Sequence, residues 1–141
     1  MNDIDALLDS HDTIGLAHLV RDGEVRSREL VEAAIARIEQ RNPALNAVIN
    51  RRFEAALAEA DTVDPHAPLA GVPFLVKDLN CDVAGLPATK GSRLFADHIP
   101  TADSELTLRF KRAGLIILGN TNTPEFGKNA STEPALHGPT H

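Results

Sequence analysis

The sequence contains no tryptophan or tyrosine and only five phenylalanines in 141 residues. Aromatic platforms on which single-stranded nucleic acid could stack are therefore missing. The one cysteine, Cys81, excludes an intramolecular disulfide and a cysteine-rich zinc site, and it fits a reducing compartment. No apolar run approaches the roughly 18 residues of a membrane span. The opening residues Met1-Asn2-Asp3-Ile4-Asp5 lack the basic-then-apolar pattern of a secretory signal. Positive charge is also scarce: 14 Lys and Arg against 20 Asp and Glu leave a net charge of −6. That balance disfavours phosphate backbones and anionic membranes as partners. The expectation is an acidic, cytoplasmic globular chain with no nucleic-acid or membrane partner. Its length suits one domain, and its 43% apolar content is enough for a core.

Composition shifts near Asp64-Pro65. One of nine prolines and two of nine glycines precede that point, and eight and seven follow it. Residues 1–64 carry the whole negative excess, whereas 65–141 balance. The front part reads as helical and the back part as loop-rich. Asp12 can cap a short helix through Ile14, Leu16, Ala17 and Val20 that ends near Asp22-Gly23. Ser27 can cap a stronger one. Its apolar positions Leu30, Val31, Ala34, Ile35 and Ile38 form one stripe at helical period, and it should stop before Asn42-Pro43. Ala47 to Asn50 suits a short strand and Glu54 to Ala60 another helix.

The back part is α/β. Phe74-Leu75-Val76 and Leu115-Ile116-Ile117-Leu118 are short continuous apolar runs, as expected of strands covered on both faces. Between them Ser104 to Ala113 is helical, with Leu106, Phe110 and Ala113 on one face and Gly114 as its stop. Strand, crossover helix and strand make a βαβ unit with parallel pairing. Pro73 should begin the first strand, since it cannot donate within a ladder. Thr123-Pro124-Glu125 looks like a further helix start, with a hydroxyl cap and proline at its first position. Two parallel strands leave unpaired edges and an apolar face. The chain thus reads as the opening part of a larger sheet, and copies of it could associate through those edges.

Lys77 is the chemical oddity. It follows the nearly all-apolar Leu69-Ala70-Gly71-Val72-Pro73-Phe74-Leu75-Val76 and ends the first strand, on the face of Leu75. In open α/β sheets ligand crevices lie at that end of the strands. A desolvated lysine sheds its proton more readily and can serve as a base. The plainer reading is a strand-end lysine that reaches solvent or pairs with Asp78. His137 and His141 are four apart, but Gly138-Pro139 prevents the helix that would aim both at one metal, so no metal is assigned. The segment Gly85 to Ser92 lacks Walker spacing and reads as an ordinary loop. Cys81 has no base paired with it and suits a structural thiol.

Taken in order, several segments resemble the amidase signature family. They are Leu69-Ala70-Gly71-Val72-Pro73-Phe74-Leu75-Val76-Lys77-Asp78, Gly85-Leu86-Pro87-Ala88-Thr89-Lys90-Gly91-Ser92, the run Arg112 to Phe126, and Gly138-Pro139-Thr140-His141. The patterns around Ser27-Arg28-Glu29-Leu30 and Asn42-Pro43-Ala44-Leu45-Asn46 are similar to its N-terminal helices. The resemblance implies a large mixed sheet covered by helices and an amide hydrolase with a Ser–cis-Ser–Lys triad, free of cofactor and metal. Lys77 would be the catalytic lysine, neutral at rest. It would take a proton from a bridging serine, which in turn activates the nucleophilic serine, while backbone N–H groups hold the oxyanion. The stretch Phe126-Gly127-Lys128-Asn129 would line the cleft for a small-molecule amide, with Gly127, Lys128 and Asn129 as substrate contacts.

The family's Gly/Ser-rich segment, with both serines, would follow His141. Ser131 lacks flanking glycines and is not assigned that role. The expectation is that these residues are an N-terminal portion of one amidase domain, need the rest of it, and do not turn over amides alone. Two other readings stand beside the hydrolase: the amide-cleaving subunit of a transfer-RNA-dependent amidotransferase, and a non-catalytic remnant that associates through its sheet edges.

Overall fold

The computed structural model describes residues 3–141. Its helices are α1 (Asp3–Ser10), α2 (Thr13–Arg21), α3 (Ser27–Leu45), α4 (Phe53–Ala60) and α5 (Glu105–Arg112), and its strands are β1 (Val48–Arg51), β2 (Pro73–Lys77) and β3 (Ile116–Thr121). The sheet order is β1-β3-β2. β2 runs parallel to β3 and β1 antiparallel to it, so the sheet is mixed and the βαβ unit is present. The compositional break near residue 64 is not a break in the sheet, because the front part supplies β1. None of the described helices is long and apolar enough to cross a membrane.

Most helix ends obey the sequence rules. Asp12 caps α2 by accepting a hydrogen bond from the Gly15 N–H at 2.8 Å. Ser104 caps α5 through the Thr107 N–H, and Gly114, at φ +92°, turns the chain out of that helix. Three details differ. Ser27 is the first residue of α3 rather than its cap. Its buried hydroxyl donates to the Gly71 carbonyl at 3.3 Å, while Glu29 accepts from the Arg26 N–H at 2.9 Å. α3 also runs through Pro43 to Leu45. The turn survives because buried Asn42 accepts from the Ala47 and Val48 N–H groups and donates to the Val48 carbonyl, with Asn46 closing the helix in the left-handed region. Thr123 does not cap a helix. Its hydroxyl donates to the Pro124 carbonyl, and only a single 3₁₀ turn follows, over Glu125–Gly127.

The core forms on both faces of β3. Ile116 and Leu118 meet Val31, Ala56 and Ala60 from α3 and α4. On the other face Ile117 meets Val76, Val83 and Leu86. A third cluster joins α2 through Leu16, Ala17 and Val20 to Leu30, Val72 and Leu115. Leu30, Val31 and Ile117 are wholly buried, and each such side chain contributes about 1.5–3 kcal/mol. The buried face of α5 is set by Thr107, not by Leu106, which is exposed; Phe110 instead meets the Phe74 ring edge-on at 5.0 Å. The β2–β3 register shifts between Phe74 and Leu75. Nearby, Arg52 donates to the Ile117 carbonyl at 2.7 Å and pairs with Glu59.

Candidate active site

The parallel pairing brings the carboxyl ends of β2 and β3 together, with Lys77 opposite Thr121. The ladder extends one step further, as the Asp78 N–H donates to the Thr121 carbonyl at 3.0 Å. Strand alternation then sends consecutive residues to opposite sides. Lys77 is exposed at the strand end, not desolvated as the apolar run before it suggests, because the burial of that run stops at Val76; Asp78 is 3% exposed and points inward. Lys77 forms no ion pair among the described residues, so the pairing with Asp78 is not made. Among the described residues β2 has β3 as its one neighbour in the sheet.

The Asp78 carboxylate is the centre of a buried polar cluster. One oxygen accepts from the Thr89 N–H at 2.9 Å and from the Asn120 amide at 3.4 Å. The other accepts from the Thr89 hydroxyl at 2.5 Å and from the Gly91 N–H at 3.4 Å. Asn120 also donates to the Pro87 carbonyl and accepts from Asn50 on β1. His137 reaches the same cluster, with Nε2 lying 2.9 Å from the Thr89 hydroxyl. Burial pushes the His137 imidazole below its ordinary pKa, against a smaller upward pull from Asp78. Thus the loop of 85–92, β3 and the 137–141 segment are all tied to the residue beside Lys77. Spacing alone did not reveal this cluster; its signal was polar residues (Asp78, Asn120) at the ends of apolar strands.

His137 and His141 are not brought onto a common ligand: the first is held by Thr89, and the backbone of the second donates to the Leu45 carbonyl. No group of three or more His, Cys, Asp or Glu side chains that could hold a metal occurs among the described residues. Cys81 is half-buried, and its thiol is pushed up by burial and by the nearby Asp82 charge.

Gly127, Lys128 and Asn129 are all exposed. Gly127 lies against Leu79, two residues beyond Lys77. A Cβ at Gly127 would stand 2.5 Å from a Leu79 methyl, and its φ of +67° also favours glycine. Phe126 holds the left-handed conformation as well (φ +53°), with its N–H bonded to the Lys90 carbonyl and its ring edge-on to Phe95. A bulky residue held there is strained, and such strain clusters at functional sites. Lys128 and Asn129 line an open cleft of about 540 Å³ with Ser131 and Glu133. A second, polar cleft of about 600 Å³ is lined by Asn42, Asn50, Arg51 and His137. Neither includes Lys77.

A lysine at the carboxyl end of a parallel strand, backed by an inward carboxylate and flanked by a strained loop, lies in a chain that known proteins match in sequence and in fold. The 6-aminohexanoate-cyclic-dimer hydrolase of Paenarthrobacter ureafaciens is 40% identical over 135 residues, which cover 92% of this chain and 26% of that protein. A glutamyl-tRNA(Gln) amidotransferase subunit from Nitratidesulfovibrio vulgaris is 42% identical over 137 residues, covering 91% and 28%. A solved structure of 6-aminohexanoate cyclic dimer hydrolase complexed with substrate superposes with a TM-score of 0.88 at 37% identity, over 99% of this chain and 28% of that one. The chain therefore spans little more than a quarter of the length of these relatives. The Amidase family model matches residues 29–141, a span that includes β1, β2, β3 and Lys77. On that match, and on the shared fold, the chain belongs to the Amidase family.

Proposed function

We propose that the chain is the lysine-bearing part of an amide hydrolase, with Lys77 as the general base. The Lys77 amine takes a proton from a serine hydroxyl supplied by residues outside these 141. That serine activates the nucleophilic serine, which attacks the amide carbonyl to give an acyl-enzyme. The proton returns by the same route to the departing nitrogen, and ammonia or an amine leaves. Water then releases the carboxylic acid. Gly127, Lys128 and Asn129 line the approach of a small-molecule amide, and neither cofactor nor metal takes part. The observation that carries the reading is Lys77 itself: it ends a parallel strand, unpaired, while its neighbour Asp78 is turned into the core.

Of the two named relatives, one is a hydrolase of the 6-aminohexanoate cyclic dimer and the other a subunit of an amidotransferase. Identities of 40% and 42% do not separate the two. The test is amine or ammonia release from a simple amide by the amidase that carries these residues. Release without ATP or a partner supports the hydrolase. A strict need for both would move the assignment to the amidotransferase, and no release under either condition would contradict the reading. The 141 residues alone are expected to show no turnover and no stoichiometric labelling by a serine-reactive phosphonate.

A further inference from the structure

We propose that His137 is a positioning residue for the Lys77 strand end, acting as a hydrogen-bond donor to Thr89 and, through it, on Asp78. The proton inventory leads there. A hydroxyl has one proton to give. The Thr89 hydroxyl gives its proton to the Asp78 carboxylate at 2.5 Å. It already accepts from the Gly91 N–H at 3.2 Å. Its contact with His137 Nε2 at 2.9 Å therefore has the imidazole as donor. The neutral ring must carry its proton on Nε2, which leaves Nδ1 as the lone-pair nitrogen.

The donor role has a mechanical consequence. Asp78 is buried at the end of β2, and its backbone N–H is bonded to the Thr121 carbonyl. With the carboxylate held by Thr89, the Lys77–Asp78 backbone cannot swivel without breaking a buried charge-assisted bond. His137 completes the Thr89 end of that restraint from a different part of the chain, 48 residues away. The 137–141 segment is itself fixed: Asn46 donates to the His137 and Pro139 carbonyls at 2.8 and 2.9 Å, and Asn122 donates to the Gly138 carbonyl at 3.0 Å. A ring so mounted can orient Thr89, and Thr89 so oriented fixes the Asp78 carboxylate and with it the backbone that presents Lys77 at the strand end.

The inference rests on Lys77 being the base, and the experiment separates the two. In the amidase carrying these residues, long-range proton–nitrogen correlation of labelled histidine reads the tautomer directly. His137 is expected as a single Nε2–H form at neutral pH, and Thr89→Val is expected to return it to a tautomer mixture. An Nδ1–H form, or the same signal with and without Thr89, would overturn the proposal whatever Lys77 does. In the amidase carrying these residues, His137→Leu is expected to lower kcat by about ten- to a hundredfold with KM unchanged. His137→Gln, whose amide can still donate, is expected to recover most of the loss. A His137→Leu variant with unchanged kcat would overturn the positioning role, whereas a Lys77→Met variant with unchanged kcat would overturn the base assignment and leave the tautomer result standing.

Discussion

Asp78→Ala removes the acceptor on which four donors converge. Two of those bonds are short, from the Thr89 N–H at 2.9 Å and the Thr89 hydroxyl at 2.5 Å, and two are long at 3.4 Å. A hydrogen bond to a charged group contributes about 1.5–3 kcal/mol. Counting the short pair in full and the long pair as little gives a loss of about 3–6 kcal/mol. Burial of the site supports the upper part of that range, since water cannot readily replace the carboxylate at a residue 3% exposed. For a chain of this length the midpoint should fall by about 10–20 °C. With no tryptophan or tyrosine to report, far-UV circular dichroism during heating or denaturant titration is the suitable assay. Asp97→Ala, at an exposed position, serves as the control and should stay within about 0.5 kcal/mol. An Asp78→Ala chain that loses less than about 1 kcal/mol would refute the claim that this cluster anchors the strand end.

Two further outcomes follow from charge and burial. The folded state holds the His137 imidazole below its ordinary pKa through burial, although Asp78 opposes this and Arg51 shares the cleft. The unfolded chain therefore takes up that proton first as pH falls, so stability is full above the ordinary histidine value of about 6.5 and declines below it. His137→Gln should flatten that slope in denaturant titrations at several pH values, and an unchanged slope would contradict the assignment. Cys81, with its thiol pushed up by burial and by Asp82, should alkylate with iodoacetamide more slowly than a free cysteine at mildly alkaline pH. A rate equal to or above that of a peptide thiol would show that burial does not restrain it.

The sequence made the strands legible because their signal is local. Phe74-Leu75-Val76 and the run from Leu115 are continuous apolar stretches bounded by proline and glycine, and they became β2 and β3. The caps at Asp12 and Ser104 were legible for the same reason. What local rules missed were features fixed by distant partners. Pro43 is tolerated inside α3 because the Asn42 side chain binds the chain beyond the helix. Ser27 is drawn from capping by Gly71, 44 residues away. The Thr123 region failed to form a helix where Phe126 and Gly127 took left-handed backbone and the Phe126 N–H bonded Lys90. The position of Lys77 was readable from strand alternation, but its backing cluster was not: Thr89, Asn120 and His137 converge on Asp78 only through tertiary contacts.

The central claim is that the Lys77 amine accepts the proton that starts amide cleavage. Turnover of a simple amide by the amidase carrying these residues, compared between wild type, Lys77→Met and Lys77→Arg, tests it most directly. Methionine keeps the length without a base, and arginine keeps the charge without a removable proton. Both variants should fold as wild type by circular dichroism and lose turnover by at least about a hundredfold, the range of general-base contributions. Wild-type turnover in Lys77→Met would contradict the account.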